Sequence, residues 1–144
     1  MSLSKRQLEK IGTAFIAEQC YREGLRIAYP DIDDGVDLII FRISEQGNFD
    51  AVPIQIKAFS TESFYTDKKY LEIPKLFIIY LWYVGSGKQI RSFGMLYEEA
   101  EKIVDKNHWS RKDGKYAYTR GSETLRNALV PFEIKSWKML LFGN

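Results

Sequence analysis

The chain has 144 residues, of which 45% are hydrophobic and 28% charged, and its formal net charge is +2. This length and composition predict a single folded domain over residues 1–144 and exclude a disordered chain, while so small a net charge indicates no partner by itself. One cysteine, Cys20, excludes an internal disulfide, and no run approaches the roughly 18 apolar residues that span a bilayer. We therefore expect a cytoplasmic protein with no membrane partner.

The first half of the chain predicts a helix followed by three strands. An apolar stripe of Leu8, Ile11 and Phe15 has the spacing of a helix over residues 4–24, which Gly24 ends. Apolar and alternating runs then predict strands over residues 25–29, 36–43 and 52–57.

The second half begins with residues 76–84, which are apolar on both faces, as in a buried central strand. The elements predicted after it are a strand over 89–95, a helix over 97–106, a hairpin of 109–112 and 115–119 around Asp113-Gly114, and a helix over 122–129. This order predicts an α/β sandwich with a mixed central sheet flanked by helices.

Three polar residues stand where the second and third predicted strands meet. Asp37 opens an apolar strand, and Gln55 and Lys57 follow eighteen and twenty residues later. Side chains alternate along a strand, so Gln55 and Lys57 share one face. The opposite face is apolar, with Val52, Ile54 and Ile56. An acid beside an amide oxygen and a lysine is a pattern that can hold a divalent cation and a phosphate.

Each of these residues also has a purely structural interpretation. Asp37 could support the turn at 33–35, and Gln55 and Lys57 could form the solvated face of an ordinary strand. Glu18 follows Ile11 by seven residues, about two helical turns, so we expect it on nearly the same, inward side. Its alternative is a surface position paired with Arg22, four residues on.

The helical Glu18, Asp34-Gly35-Val36-Asp37 and Gln55-Ile56-Lys57 together resemble the PD-(D/E)XK, or restriction-endonuclease-like, nuclease superfamily. Glutamine in the third motif particularly resembles Mrr-like restriction nucleases and small stand-alone endonuclease-like proteins. The resemblance covers residues 5–84 and implies the restriction-endonuclease-like sandwich. We expect the core of the domain at about 5–106 and a C-terminal extension, which matches no motif, at about 107–144.

The resemblance implies a Mg²⁺-dependent or Mn²⁺-dependent endonuclease that hydrolyses DNA. Asp37 would be the main metal ligand, with the Gln55 amide oxygen and the Ile56 carbonyl as further ligands. Lys57 would orient or deprotonate the attacking water, and Glu18 would act through water or at a second metal position. Cutting both strands needs two sites, so a homodimer is expected.

One departure from the family pattern leaves a second function open. The superfamily name implies an acid where this chain has Gln55, and a neutral amide holds a cation less strongly. The alternative is therefore a catalytically inactive nuclease-fold domain that binds nucleic acid or a protein partner. A structural or interaction protein with no nucleic-acid role is a third hypothesis.

Two aromatic and basic segments add to the nucleic-acid hypothesis, although packing over the sheet is the more common use of such aromatics. They hold Phe59, Phe64, Tyr65, Lys68, Lys69 and Tyr70, and Trp109, Arg111, Lys112, Lys115, Tyr116 and Arg120. A single histidine, His108, excludes a histidine-rich metal site.

Overall fold

The computed structural model describes residues 2–118 and 120–144. The α-helices in these ranges are α1 (Lys5–Arg22), α2 (Tyr97–Lys106), α3 (Glu123–Leu129) and α4 (Trp137–Phe142), with 3₁₀ helices at Lys68–Glu72 and Val130–Phe132. The strands are β1 (Arg26–Ala28), β2 (Leu38–Ile43), β3 (Phe49–Ala58), β4 (Phe64–Asp67), β5 (Phe77–Trp82), β6 (Arg91–Leu96) and β7 (Lys115–Tyr118). No helix of the described residues is long and apolar enough to cross a membrane. Two predicted bounds lie outside the described residues: Met1, which begins the predicted domain, and Thr119, which ends the predicted strand 115–119.

A mixed sheet of five strands forms the centre of the molecule, in the order β1-β2-β3-β5-β6. Strands β1, β2 and β3 pair antiparallel, as do β5 and β6, whereas β3 and β5 run parallel with Gln55 opposite Ile78. Strands β4 and β7 form a separate antiparallel pair. This topology confirms the α/β fold with a mixed sheet and helices.

The central strand β5 separates two apolar cores. Ile78, Tyr80 and Trp82 face a core shared with α2 and α3, while Ile79 and Leu81 face a core shared with α1. All five side chains are fully buried. The prediction of a buried strand that is apolar on both faces is confirmed, and helices cover both faces of the sheet.

Local signals in the sequence set the bounds of two helices. Ser4 caps α1 because its Oγ accepts the Gln7 N–H, while the Gln7 side chain accepts the Ser4 N–H at 2.8 Å. Gly24 follows the helix with a positive φ of 76°, which glycine adopts without strain. Ser122 Oγ likewise accepts the Leu125 N–H at 3.1 Å and begins α3, as predicted.

The predicted apolar stripe of α1 is only partly correct. Leu8 and Phe15 pack, half-buried, against the core under α1, but Ile11 is 37% exposed. The fully buried stripe is Gly12, Ile16 and Cys20. Gly12 lies so close to β5 that a Cβ there would meet Leu81 Cδ1 at 2.8 Å. A glycine, with no apolar side chain, therefore marks the closest approach of the helix to the sheet.

The predicted hairpin at Asp113-Gly114 is only partly correct. Both turn residues have positive φ, 54° and 75°, as a type I′ turn requires, and Lys112 and Lys115 exchange backbone hydrogen bonds of 2.9 Å. The strand partner of β7 is β4 rather than residues 109–112. Strand β4 was not predicted, because its pairing depends on a strand some fifty residues away.

Helix α4 was also missed, although Ser136 Oγ caps it locally by accepting the Met139 N–H at 3.2 Å. The Glu23 carboxylate accepts hydrogen bonds from Ser136 Oγ at 2.7 Å, Trp137 N at 2.8 Å and Lys138 N at 3.0 Å. Trp137 joins the core under α1, and Leu125 of α3 joins the core under α2. The C-terminal extension therefore packs on both sides of the sheet, and its boundary at about residue 106 stays a prediction.

Candidate active site

Asp37 is fixed at the point where β2 begins. Its backbone N–H donates to the Ile54 carbonyl at 2.8 Å, and its Oδ2 accepts the Ile56 N–H at 2.6 Å. Leu38, the first residue of β2, pairs with Ile54, so Ile56 lies beyond the end of β2. The Asp37 carboxylate thus accepts the Ile56 N–H in place of the backbone carbonyl that a longer β2 would have supplied.

Gln55 and Lys57 share one face of β3, and the alternate residues Val52, Ile54 and Ile56 are buried on the other, as predicted. The Gln55 side-chain amide donates to the Ile56 carbonyl over a long 3.4 Å. Lys57 Nζ lies 4.8 Å from the centre of the Tyr65 ring and 5.8 Å from that of Tyr70. These two residues therefore do not belong to an open, solvated face.

The pKa values of Asp37 and Lys57 are shifted in opposite directions. Burial raises the pKa of the Asp37 carboxyl, and the neighbouring charges of Asp33 and Glu9 raise it further, against the Ile56 hydrogen bond and the attraction of Lys57. Burial also lowers the pKa of the Lys57 ammonium, and repulsion by Lys5 and Lys69 lowers it further. Attraction by Asp37 and Glu9 acts in the opposite direction and does not cancel the shift. Both charged forms are thus disfavoured by the fold, which is common at functional sites.

A cleft of about 380 Å³ opens over these residues, and we call it the acidic cleft. Its lining consists of Glu9, Asp33, Asp34, Gly35, Asp37, Gln55, Lys57, Lys69, Tyr70, Glu72 and Ile73. Carboxylates outnumber lysines in this lining by five to two. Such an excess of negative charge favours a bound cation.

Tyr70 is a further polar group of the acidic cleft. It is only 3% exposed, and within the described residues its hydroxyl has no hydrogen-bond partner. Burial raises the pKa of this phenol, so the hydroxyl keeps its proton at neutral pH. From the sequence, Tyr70 was predicted only as part of an aromatic and basic segment.

Glu18 does not join the other predicted site residues. It lies on the outer face of α1, where its carboxylate accepts from Arg22 at 2.7 Å, and its side chain is 57% exposed. The surface pair with Arg22 is therefore what the structure shows. The expectation of an inward Glu18 is wrong, because it was built on Ile11, which is itself exposed.

Glu9 is the acid of α1 that lines the acidic cleft, and its charge acts on both Asp37 and Lys57. It precedes Glu18 by nine residues, about 900° of helical rotation, so the two acids point to opposite sides. The four-residue spacing of Gly12, Ile16 and Cys20 was the signal in the sequence that could have found it. That stripe places Glu9 at the edge of the contact with the sheet.

The two aromatic segments mostly pack against the protein itself. The Trp109 ring stacks on Tyr116 with centroids 5.1 Å apart and on Tyr118 at 5.5 Å. Phe64 is buried and stacks on Tyr80 at 5.0 Å. Packing, the alternative named for these residues, is what the structure shows for them.

Comparisons with known proteins add nothing to the residues of the site. The chain matches no protein-family model, no curated protein and no solved structure. The resemblance to the PD-(D/E)XK superfamily thus rests on residues 34–37 and 55–57, and function has to be argued from their geometry.

Oxygen atoms of the acidic cleft and of Ile56, which lies beside the lining of the cleft rather than in it, suit a hard divalent cation. Ile54 O accepts from Asp37, so the Ile56 carbonyl, two residues along β3, points to the same side and lies past the end of β2. The Gln55 amide oxygen, the Ile56 carbonyl and Asp37 Oδ1, the oxygen left over by the Ile56 hydrogen bond, are all hard oxygens. The Ile56 carbonyl accepts the Gln55 amide at 3.4 Å, so a cation would replace that long hydrogen bond. Within residues 2–118 and 120–144, no three acidic, histidine or cysteine side chains form a metal-binding group.

Proposed function

We propose that this protein is a metal-dependent endonuclease of the restriction-endonuclease-like fold, which hydrolyses DNA phosphodiesters in the acidic cleft. The observation that carries the proposal is the hydrogen bond from Ile56 N to Asp37 Oδ2, which fixes a half-buried carboxylate beside Gln55 and Lys57. The order of elements supports it as well. A helix, three antiparallel strands and a later strand parallel to the third agree with the core of that superfamily.

Asp37, Gln55 and the Ile56 carbonyl would hold the cation. When bound, Mg²⁺ or Mn²⁺ would polarise the phosphodiester and lower the pKa of a water molecule. Asp37 is the one charged ligand of this set, and the Ile56 hydrogen bond prevents its carboxylate from turning away. Burial raises the pKa of Asp37, so a bound cation would also stabilise its ionised form.

Lys57 would act on the phosphate and on the attacking water. Its ammonium lies on the same face of β3 as Gln55 and above the Tyr65 ring, at 4.8 Å. An ammonium in this position offsets negative charge that grows on the phosphate oxygens. The lowered pKa of Lys57 also makes its neutral amine easier to form at physiological pH, and the neutral amine can accept a proton from water.

Glu9 would take the part that the sequence assigned to Glu18. It reaches the acidic cleft from α1, opposite the carboxylates of the loop before β2. From there it can hold a water molecule or contribute to a second cation position. A homodimer is part of the proposal, because cutting both strands of a duplex needs two such sites.

Cleavage of linear, supercoiled and branched DNA in Mg²⁺ or Mn²⁺ tests the proposal. Cutting should be lost in Asp37→Ala and should slow by about 10²- to 10⁴-fold in Lys57→Ala. Glu18→Ala is the matched control, since it removes an exposed carboxylate of α1 outside the acidic cleft, and it should cut normally.

A folded wild-type protein that cuts none of these substrates with either cation would contradict the proposal. DNA binding that persists unchanged in Asp37→Ala would then identify the inactive nuclease-fold domain instead. Absence of any salt-dependent DNA binding would point to a protein with no nucleic-acid role.

A further inference from the structure

A second groove adjoins the acidic cleft along α1, and we call it the helix groove. Its volume is about 380 Å³, and it is lined by Arg6, Glu9, Lys10, Thr13, Tyr29, Asp37 and Ile56. Glu9 and Asp37 line both cavities, so the helix groove and the acidic cleft meet at the candidate catalytic carboxylate. Any chain that crosses the acidic cleft can continue into the helix groove.

Two cations of α1 stand in the helix groove. Arg6 and Lys10 are four residues apart and therefore lie on one side of the helix. Among the described residues, no carboxylate lies within salt-bridge distance of either one. Cations without acidic partners beside a phosphodiesterase site suit contacts to further phosphates of the same strand.

Tyr29 supplies an aromatic ring in the same groove. It follows β1 and is 61% exposed, unlike the aromatic residues of the two cores. A nucleic-acid base stacks on such a ring only when it is not stacked within a duplex.

We propose that the helix groove binds a single-stranded flank of the DNA substrate, with Arg6 and Lys10 at phosphates and Tyr29 stacked on a base. The inference extends the proposed function, because it gives the strand that carries the scissile phosphate a path away from Asp37. It predicts a preference for DNA with an unpaired segment next to the cut, such as an overhang, a flap or a frayed end.

Fluorescence anisotropy with a labelled single-stranded 12-mer in EDTA tests the groove without any cutting. Tyr29→Ala should weaken binding about tenfold. In Arg6→Ala/Lys10→Ala, the slope of the logarithm of the binding constant against the logarithm of the salt concentration should become shallower by the equivalent of about two phosphate contacts. A blunt duplex of the same sequence should lose less than about twofold when Tyr29 is removed, because its bases stay stacked.

Two matched controls accompany these variants. Lys102→Ala/Lys106→Ala removes two cations four residues apart on α2, on the other side of the sheet. Tyr21→Ala removes a tyrosine of similar exposure, 58%, near the far end of α1. Both controls should bind the 12-mer like the wild type.

Wild-type affinity for the 12-mer in the Tyr29 variant or the Arg6/Lys10 variant would overturn the inference, as would a wild type that does not bind the 12-mer. Anisotropy in EDTA and cleavage in Mn²⁺ are separate measurements. Groove binding without cleavage would contradict the proposed nuclease but leave the groove assignment standing. Cleavage without groove binding would contradict the groove assignment but leave the proposed nuclease standing.

Discussion

Replacing Asp37 by asparagine should abolish cleavage and yet stabilise the fold. Because burial raises the pKa of this carboxyl, its ionised form is disfavoured in the folded protein. The folded state then binds the proton more tightly than the unfolded state, so stability falls as pH rises from the ordinary carboxyl pKa through the folded one. Above the pKa of the folded carboxyl the cost is fully present, and Asp37→Asn removes it. The advantage of the variant should shrink as pH falls below the pKa of the folded carboxyl.

Asp37→Ala isolates the hydrogen bond that holds the site together. Both variants remove the charge, but only asparagine keeps an oxygen for the Ile56 N–H, which now lies 2.6 Å from Oδ2. A buried donor left without a partner costs about 1–3 kcal/mol, and this hydrogen bond, whose acceptor Asp37 is partly exposed, belongs to the lower half of that range. The alanine variant should therefore melt about 3–8 °C below the asparagine variant in a chain of this size.

Calorimetry of the wild type and both variants in EDTA, at pH 7 and again at pH 5, measures these differences without metal. Equal melting temperatures for the alanine and asparagine variants would refute the structural role of the Ile56 hydrogen bond. An asparagine variant less stable than the wild type at pH 7 would refute the raised pKa of Asp37.

Three further predictions concern α1 and its neighbours. Glu9→Gln should slow metal-dependent cleavage at least tenfold while Glu18→Gln leaves it unchanged, as measured by single-turnover kinetics; equal effects would show that Glu9 has no special role. Glu23→Ala should lower the free energy of unfolding by about 1–3 kcal/mol, because it removes the acceptor for the N-terminus of α4. Although burial acts the other way, the hydrogen bonds from Lys138, Ser136 and Trp137 lower the pKa of Glu23. The effect of Glu23→Ala should thus be present above the ordinary carboxyl pKa and fade as urea melts are repeated at lower pH; an effect that grows instead would contradict it. Gly12→Ala should destabilise by up to about 2 kcal/mol, because the overpacking where the new Cβ meets Leu81 Cδ1 at 2.8 Å costs about 1–3 kcal/mol and outweighs the roughly 1 kcal/mol that alanine gains over glycine in a helix. A raised melting temperature would contradict that close contact.

Local patterns were enough to find the strand residues of the site. The alternation of residues 52–57 placed Gln55 and Lys57 on one face, and the apolar run that follows Asp37 placed that acid at the start of β2. Both signals depend on a period of two residues within a single strand. The pairing of β2 with β3 then brings the three side chains together.

Contacts between distant parts of the chain were beyond such patterns. The phase of α1 depends on Gly12, which contributes no apolar side chain, so counting apolar residues favoured Ile11 and with it Glu18. Strand β4 exists through its pairing with β7, so it follows from a tertiary contact rather than from local preference. Helix α4 carries a local cap in Ser136, and Glu23 from the other end of the chain adds a tertiary acceptor to it.

The most direct test of the central claim is the rate at which Asp37→Asn cuts supercoiled DNA in Mn²⁺, measured beside the wild type. We predict that the wild type cuts and that the variant, folded and at least as stable, does not. Cutting by Asp37→Asn at the wild-type rate would show that the carboxylate at the start of β2 is not the catalytic metal ligand.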